Sequence, residues 1–397
     1  MWLSVSIKNA TQHQEFFMHL LRVQVPDFRG LKDIDITFEK DFVPKIFPLG
    51  SQNGGGKSTL LQLIFVLLHC SVDEHKKPFV QAVLQGFKIL DGEEKILAII
   101  DIWDGKKIVQ LEFYCQKFSF VAGTLEEDIN SENIIEICYV ENFREEIFHD
   151  ETRLTITVLK CLFNNQSHEQ AKSFLEKISH KIFLAAPSTQ VFLFLPQNYK
   201  KLLFRGSSKA DGGYYGILDS AKSELKGFFT YDFLAVELLI EVFKNARDRD
   251  FKEAIKTGHY GNSYQALIKE LNLLLGNKTI NLDEDFSGVN FQLYNNGENI
   301  ELYPEDLSHG ELKRLSIYVW LKFRNIKDAI VLMDEVEIAF HPDWQYQIIS
   351  DLKEWTPSNQ YILATHSYAL CEALTPAHVK EIEPKLIKQE SNITNES

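Results

Sequence analysis

A glycine-rich stretch, SQNGGGKS (51–58), has the residue types that bind phosphate. It follows a short apolar run, KIFPLG, and precedes a run with the apolar density of a buried helix, which is the strand–loop–helix setting of a phosphate loop. We expect Lys57 to reach the β- and γ-phosphates of ATP and the Ser58 hydroxyl to bind Mg²⁺. Ser51 stands where the strict pattern has glycine, and Gly50 before it can supply the tight turn. The other residues expected to bind the nucleotide here are Ser51, Asn53, Gly54, Gly55, Gly56 and Thr59.

Two later segments are predicted strands that end in polar side chains. AIVLMDE (329–335) reads as a buried parallel strand, after which Asp334 would bind the Mg²⁺ ion and Glu335 would act as the general base on the attacking water. QYILATHS (360–367) reads as a second strand that ends just before His366. Because neighbouring parallel strands end at the same sheet edge, we expect His366 to lie near the γ-phosphate and to contact it or the water.

The short stretch LSHGE (307–311) precedes a predicted helix. Ser308 is a favourable N-cap, and the free amides of the helix that it begins would point at an anion. A plain helix cap without further function is the alternative interpretation. The order of these motifs resembles that of ATP-binding-cassette ATPase heads, in which LSHGE is similar to the LSGGQ signature. The resemblance implies that Ser308, Gly310 and Glu311 contact ATP bound to a partner copy, so that the chain works as a homodimer or higher oligomer.

A narrower resemblance comes from DEVEIAFHPDWQ (334–345), which looks like the DEPE…LHP segment of the OLD-like and RecF/SMC-like branch of these ATPases. In that branch His341 stands where transporters have an aspartate, which implies a place for it at the nucleotide. The stretch DFRGLKDIDITF resembles the opening hairpin of the branch and implies that Arg29 lies near the nucleotide. Val336 departs from the family proline, and both Gln81 and Gln190 remain candidates for the glutamine that these ATPases place beside the nucleotide.

The sequence predicts an α/β fold: a P-loop ATPase head with an antiparallel β-subdomain and a helical insertion. Strand-like segments run from 97 to 160, and LLRVQV with DIDITFEK predicts a hairpin. QVFLFLP (190–196) is predicted as a strand, 217–275 as mainly helical, and the sequence around Asn295 as a hairpin turn. The predicted divisions are an extension (1–17), two halves of the head (18–186 and 303–385), a helical insertion (187–302) and a disordered tail (386–397).

Composition narrows the function classes. The 397 residues carry a formal net charge of −14, which argues against a whole-molecule electrostatic grip on nucleic acid. A basic stretch, YKKLLFRGSSKADGG (199–213), leaves local contact with nucleic acid or another subunit open, although a solvated loop is its ordinary interpretation. The five cysteines are scattered, and no apolar run reaches the length of a membrane span, so we expect a reduced, cytoplasmic protein without membrane contact.

The choice of biological role rests on the resemblance. Compact heads with a modest insertion resemble ATPase subunits of bacterial anti-phage systems of the Septu, PARIS and retron-associated types, in which a separate nuclease or toxin is the effector. The sequence has no HNH or PD-(D/E)xK pattern and no TOPRIM-like arrangement, so a partner would supply any nuclease activity. The alternative is a RecF-like DNA-binding repair ATPase. A transporter cassette is disfavoured by the large insertion.

Overall fold

The computed structural model describes residues 18–51, 54–85, 87–121, 134–142, 153–164, 167–195, 213–231, 234–283, 287–295 and 297–382. The predicted extension (1–17), the predicted tail (386–397) and nearly all of the basic stretch lie outside these residues.

The described residues form β-strands and α-helices that are interspersed along the chain. The strands are β1 (His19–Phe28), β2 (Leu31–Thr37), β3 (Ile46–Gly50), β4 (Glu94–Trp103), β5 (Ile108–Val121), β6 (Ile134–Asn142), β7 (Arg153–Phe163), β8 (Ile182–Ala186), β9 (Phe228–Thr230), β10 (Lys278–Leu282), β11 (Val289–Asn295), β12 (Glu298–Leu302), β13 (Ile330–Asp334), β14 (Gln360–Ala364) and β15 (Lys380–Glu381). The α-helices are α1 (Lys57–Phe65), α2 (Lys77–Leu84), α3 (His168–Ser179), α4 (Val191–Phe194), α5 (Gly213–Glu224), α6 (Leu234–Thr257), α7 (Ser263–Leu275), α8 (His309–Phe323), α9 (Pro342–Trp355) and α10 (Tyr368–Glu372). A π-helical turn (Val66–Cys70) continues α1, and 3-10 turns occupy Glu74–Lys76, Ser188–Gln190, Pro304–Asp306 and Pro376–His378.

A parallel sheet positions the predicted site. Its order is β15-β3-β14-β13-β8-β9, and every pair of neighbours is parallel. Residues of β13 and β14 are buried throughout, as expected for strands covered on both faces. The register pairs Asp334 with Ala364 and Ala364 with Leu49, so β13, β14 and β3 end at one edge. The predicted common edge for the acidic strand end and the histidine is confirmed.

The predicted antiparallel subdomain is also confirmed. A second six-stranded sheet has the order β2-β1-β4-β5-β7-β6, and its pairs are antiparallel. The predicted hairpin at its edge is β1 and β2, joined by a turn in which Arg29 has the left-handed φ of 51°. This sheet shares one hydrophobic core with α1 and with one face of the parallel sheet, the face that carries Leu332 and Ile362.

One strand prediction was wrong, and one strand was missed. QVFLFLP was predicted as a strand, but its residues form the 3-10 turn Ser188–Gln190 and α4. The missing strand is β8, the run IFLAA just before, which pairs with β13 in the centre of the parallel sheet. Periodicity cannot tell two adjacent short apolar runs apart. The sheet takes the first run, and the second buries Phe194 against Phe65 and Phe228.

Between the two ATPase segments, the chain forms α5 to α7 and a three-stranded sheet, β10-β11-β12. The predicted helices and the hairpin of β11 and β12 are confirmed. A second hydrophobic core joins α6 and α7 to α8 and the other face of the parallel sheet. Within the described ranges, every helix is too short or too polar to cross a membrane.

Candidate nucleotide-binding site

The phosphate loop leaves β3 and turns into α1. Gly54 and Gly56 have φ values of +82° and +84°, a backbone region that residues with a Cβ rarely adopt. A Cβ on Gly56 would lie 2.5 Å from Leu31 Cδ2, so a larger residue would also require the Leu31 side chain to move. Helix α1 begins without a side-chain cap, which leaves the amides of its first turn, Thr59 included, available for an anion. Asn53 lies outside the described residues.

The Lys57 side chain links this loop to the end of β14. Its Nζ donates to the Ser51 carbonyl (3.1 Å) and to Ser51 Oγ (2.9 Å), and it lies 3.4 Å from His366 Nδ1. Lys57 is only 5% exposed. Burial lowers the pKa of its ammonium, and the nearby carboxylates of Glu337 and Asp334 oppose that shift. The side chains of Lys57 and His366, which lie more than 300 residues apart in the sequence, are therefore neighbours in the fold.

Ser58 and Asp334 form the predicted magnesium pair. Ser58 Oγ donates to Asp334 Oδ1 at 3.0 Å, and Asp334 is 2% exposed. Burial and the neighbouring charges of Glu335 and Glu337 raise the pKa of Asp334 to about 7, although the Ser58 hydrogen bond opposes this. One hydroxyl and one carboxylate fit Mg²⁺, which takes its other ligands from phosphates and water. Among the described residues, no group of three or more His, Cys, Asp or Glu side chains is arranged to hold a metal ion.

After Asp334 the chain forms a turn, residues 335–339, which we call the acidic turn. Glu335 opens it with a left-handed φ of 52° and donates its amide to the Ala364 carbonyl at 3.0 Å. A cavity of about 470 Å³ lies beside the turn, and Glu335 and His366 both line it. The predicted base and the predicted sensing histidine thus face one space, next to the predicted metal pair.

Sequence reasoning missed Glu337, which lines the same cavity. Glu337 is 8% exposed, and its Oε1 accepts the backbone amide of His366 at 2.7 Å. Its Oε2 is buried and has no hydrogen-bond partner among the described residues. The signal was present in the sequence: Glu337 is the second glutamate of DEVE, in the segment that resembles DEPE.

The LSHGE stretch forms a capping box at the start of α8. Glu311 N donates to Ser308 Oγ (3.3 Å), and Glu311 Oε2 accepts from the Ser308 amide (3.0 Å) and hydroxyl (2.9 Å). Glu311 also pairs with Lys278 of β10. Burial opposes ionisation of Glu311, but the bonds from Lys278 and Ser308 outweigh it and lower its pKa. The alternative of a helix cap is therefore realised, and contact with a partner's ATP stays a prediction.

Exposure differs along this stretch. Ser308 and His309 are exposed, whereas Gly310 is buried. A Cβ on Gly310 would lie 2.7 Å from the Ala339 carbonyl oxygen, so the glycine permits close packing of α8 on the acidic turn of its own chain. Ser308 and His309 are therefore the residues of this stretch that are most accessible to another molecule.

Four further residues named by the sequence analysis make other contacts: Arg29, His341, Gln81 and Gln190. Arg29 Nη2 donates to the carbonyls of Ala82 and Gln85 (both 3.2 Å) at the end of α2, and burial lowers its pKa. His341 is an exposed N-cap of α9, where its Nδ1 accepts the amide of the residue two positions on. Roles of Arg29 and His341 at the nucleotide stay predictions. Of the two glutamine candidates, Gln190 follows β8 at the same sheet edge and accepts a hydrogen bond from Gln62 of α1, which favours it over Gln81 in α2.

Comparisons with known proteins agree with this geometry. Residues 189–372 match the family described as "AAA domain, putative AbiEii toxin, Type IV TA system". "Retron Vc95 probable ATPase" of Vibrio cholerae is 36% identical over 69 residues, and "Retron Ec83 probable ATPase" of Escherichia coli is 28% identical over 144 residues. These matches span 16% and 30% of this chain, but only 13% and 27% of the two relatives.

The solved structures that match this chain include an Smc head bound to the C-winged helix domain of ScpA and the SMC head domain from Thermotoga maritima. The first is 11% identical with a TM-score of 0.41, over 90% of this chain and 92% of that one. The second is 10% identical with a TM-score of 0.41, over 89% and 91%.

The family match covers β13, the acidic turn and β14, and the fold adds the phosphate loop to the same sheet edge. Both agree with the resemblance drawn from the motifs. Residues 189–372 therefore match an AAA domain, the chain has an α/β P-loop fold, and shorter segments of it are similar to the probable ATPases of two retrons.

Proposed function

We propose that this protein binds Mg·ATP and hydrolyses it, slowly, at sites completed by a second copy, and that its ATP state controls a separate effector in anti-phage defence. The observation that supports the proposal most is the convergence of Lys57, Ser58, Asp334, Glu335 and His366 at one sheet edge.

The proposed chemistry follows from the groups at this edge. Bound Mg²⁺, held by Ser58 and Asp334, supplies charge neutralisation for the phosphate oxygens. Lys57 exchanges its hydrogen bonds to Ser51 for the β- and γ-phosphates. Glu335 accepts a proton from the water whose oxygen attacks the γ-phosphorus, and the bond to the bridging oxygen breaks to release ADP and phosphate. His366 contacts the γ-phosphate or the attacking water.

Assembly around ATP rests on the start of α8. Ser308 is exposed and caps a helix of 15 residues, so its hydroxyl and the first amides of α8 are accessible to an anion from outside the chain. We propose that this anion is the γ-phosphate of ATP bound to a second copy. The exposed Ser308 of the capping box and the exposed His341 are then parts of the same interface.

The defence role rests on the comparisons. The named relatives are probable ATPases of retrons, and the family description includes a putative toxin of a toxin–antitoxin system. We propose that the effector is a nuclease or toxin encoded next to this chain. The predicted head (18–186 and 303–385) and insertion (187–302) remain the proposed domain division, with ATP-driven assembly of the heads as the switch.

The first test is light-scattering mass with and without Mg·ATP, for wild type, Ser308→Arg and the control Ser223→Arg. Ser223 is an exposed serine on α5, away from the capping box. We expect an ATP-bound oligomer in wild type and control, and a monomer in Ser308→Arg. Glu335→Gln should retain ATP and stabilise the oligomer. An ATP-binding monomer that is unchanged by Ser308→Arg contradicts assembly through the capping box.

A second test addresses the biological role. Hydrolysis is measured with double-stranded DNA and, separately, with the purified product of the adjacent gene. A stable complex with that product, without stimulation by DNA, supports the effector role. DNA-stimulated hydrolysis without such a complex contradicts it and supports a repair ATPase.

A further inference from the structure

Lys313 is a buried lysine within α8, and the proposed chemistry gives it no role. It is 5% exposed, and its Nζ lies 4.0 Å from the centre of the Tyr231 ring and 5.5 Å from that of Phe340. Its ammonium donates to the backbone carbonyls of Glu335 (2.9 Å) and Ile338 (3.1 Å). Lysines are seldom this buried unless their charge is compensated, so these contacts offset a large desolvation cost.

Both carbonyls belong to the acidic turn, and the backbone of this turn is strained. Glu335 has a φ of 52° and Ala339 a φ of 71°, values that non-glycine residues rarely adopt. Such conformations persist only where surrounding contacts hold them. Lys313 contacts the carbonyl of the first strained residue and the carbonyl that precedes the second, so a single ammonium joins both ends of the turn.

A second contact fixes the same helix to the same turn. Gly310, one helical turn before Lys313, packs so closely on the Ala339 carbonyl that an added Cβ would lie 2.7 Å from it. Residues three apart share a helix face, so Gly310 and Lys313 form one contact surface on α8. The helix that begins at Ser308 is therefore attached in two places to the turn that carries Glu335.

We propose that Lys313 is a positioning residue for Glu335. It holds the acidic turn in the strained conformation that directs the Glu335 carboxylate into the site. Because α8 is one rigid element, it also connects a phosphate bound at Ser308 to the base of its own chain. Each copy then senses its partner's ATP through α8 before its own water is attacked. This inference rests on the proposed ATPase function and extends it to communication between the two sites.

The test compares Lys313→Met, which keeps an apolar stem of similar length, with Lys313→Arg and with Lys322→Met as a control. Lys322 lies on the same helix and is exposed. We expect Lys313→Met to bind ATP and assemble with Mg·ATP as wild type does, with KM little changed and kcat lower by about 10- to 100-fold, since small misplacements of a catalytic group have such effects. Lys313→Arg should recover part of the rate, and Lys322→Met should match wild type.

Chemical rescue makes the test sharper. A cavity of about 460 Å³ lined by Tyr231, His309 and Lys313 lies beside the ammonium position. Ethylammonium added to Lys313→Ala should therefore raise kcat with saturation, and it should not raise the rate of Glu335→Gln. A purely structural role would give a lower melting temperature with no rescue.

The outcomes distinguish a failure of the proposed ATPase function from a failure of the positioning role of Lys313. If wild type hydrolyses ATP no faster than Glu335→Gln, the proposed function is wrong. If wild type is active and Lys313→Met keeps its kcat within about twofold, or if Lys313→Ala folds and ethylammonium fails to raise its rate, the positioning role is wrong. If the Met and Ala variants both fail to fold, Lys313→Arg decides: a wild-type kcat contradicts the inference, and a lower kcat at unchanged KM supports it.

Discussion

His69 makes the stability of the phosphate-loop helix sensitive to acid. It lies in the π-helical turn that continues α1, is 4% exposed and stacks on Phe65. Its Nδ1 lies 2.7 Å from the Ser179 carbonyl, while its Nε2 is buried without a partner among the described residues. Burial, with a smaller contribution from Lys76, lowers the pKa of His69 from 6.5 to about 4. The folded protein therefore excludes the charged imidazole.

The magnitude follows from proton linkage. Above a pH of about 6.5 the imidazole is neutral in both states, and its contribution to stability is fully present. As pH falls from 6.5 towards 4, the unfolded chain binds a proton that the folded chain does not, so the free energy of unfolding falls by about 1.4 kcal/mol per pH unit. Between about pH 7.5 and about pH 5.5 the loss from His69 is about 1.3 kcal/mol, and it reaches about 3 kcal/mol near pH 4.

Urea unfolding at these two pH values, for wild type and His69→Gln, measures the effect. Glutamine keeps a donor for the Ser179 carbonyl and does not titrate. We expect the pH-dependent loss of unfolding free energy to be smaller by about 1.3 kcal/mol in His69→Gln than in wild type. His180→Gln is the control, because His180 is exposed at the end of α3. An equal loss in wild type and His69→Gln would refute the reasoning, since another group would then carry the whole effect, such as His19, which is 4% exposed and whose pKa burial also lowers to about 4.

Three substitutions at the nucleotide site give further tests. Glu337→Ala removes the acceptor of the His366 amide and should lower kcat, whereas Glu337→Gln keeps an acceptor and should leave kcat unchanged. An equal loss of kcat in both variants would mean that the charge of Glu337 matters and not its hydrogen bond. Gly310→Ala places a methyl carbon against a carbonyl of the acidic turn, so urea unfolding should show about 1–3 kcal/mol less stability, and kcat should fall with it; unchanged values would show that the turn moves freely. Ser51→Gly removes the hydroxyl that holds Lys57, so calorimetry should show ATP binding several-fold tighter, and weaker binding would show that Ser51 itself contacts ATP.

Most of the fold was predictable because its strongest signals are local. Apolar runs that end in Asp334 and before His366 identify two neighbouring buried strands, and the parallel rule then places both at one edge. Strand β8 was not predictable in the same way. The five residues of β8 and the four of α4 are both short apolar runs. Only the pairing with β13 determines that the first run is a strand and the second a helix.

The residues of the site also differ in whether a local motif or a distant contact determines their place. Lys57 and Ser58 are defined by a motif that needs only its own strand and helix, so sequence alone identifies them. Lys313 could not be found, because a lysine on an amphipathic helix is ordinarily solvated, and its burial depends on contacts with a turn 22 and 25 residues away. Arg29 is a different case: its motif predicts a place near the nucleotide, its guanidinium donates to two carbonyls at the end of α2, and its role at the nucleotide stays a prediction.

The carboxylate of Glu311 would repel a phosphate bound at Ser308, and Lys278 of the insertion offsets this repulsion. If Ser308 receives a partner's γ-phosphate, the Glu311 carboxylate lies one hydrogen bond from that anion, and two like charges at this distance repel each other. Lys278 of β10 contacts the other Glu311 oxygen, and both side chains are only 15% exposed, so solvent screens this pair little. The cation therefore neutralises Glu311 where water cannot. When the Ser308 hydroxyl turns to the phosphate, the Ser308 amide and Lys278 still hold Glu311 in place. A residue of the three-stranded sheet thus makes this acidic stretch compatible with a bound phosphate, which links the insertion to the proposed ATP-bound assembly.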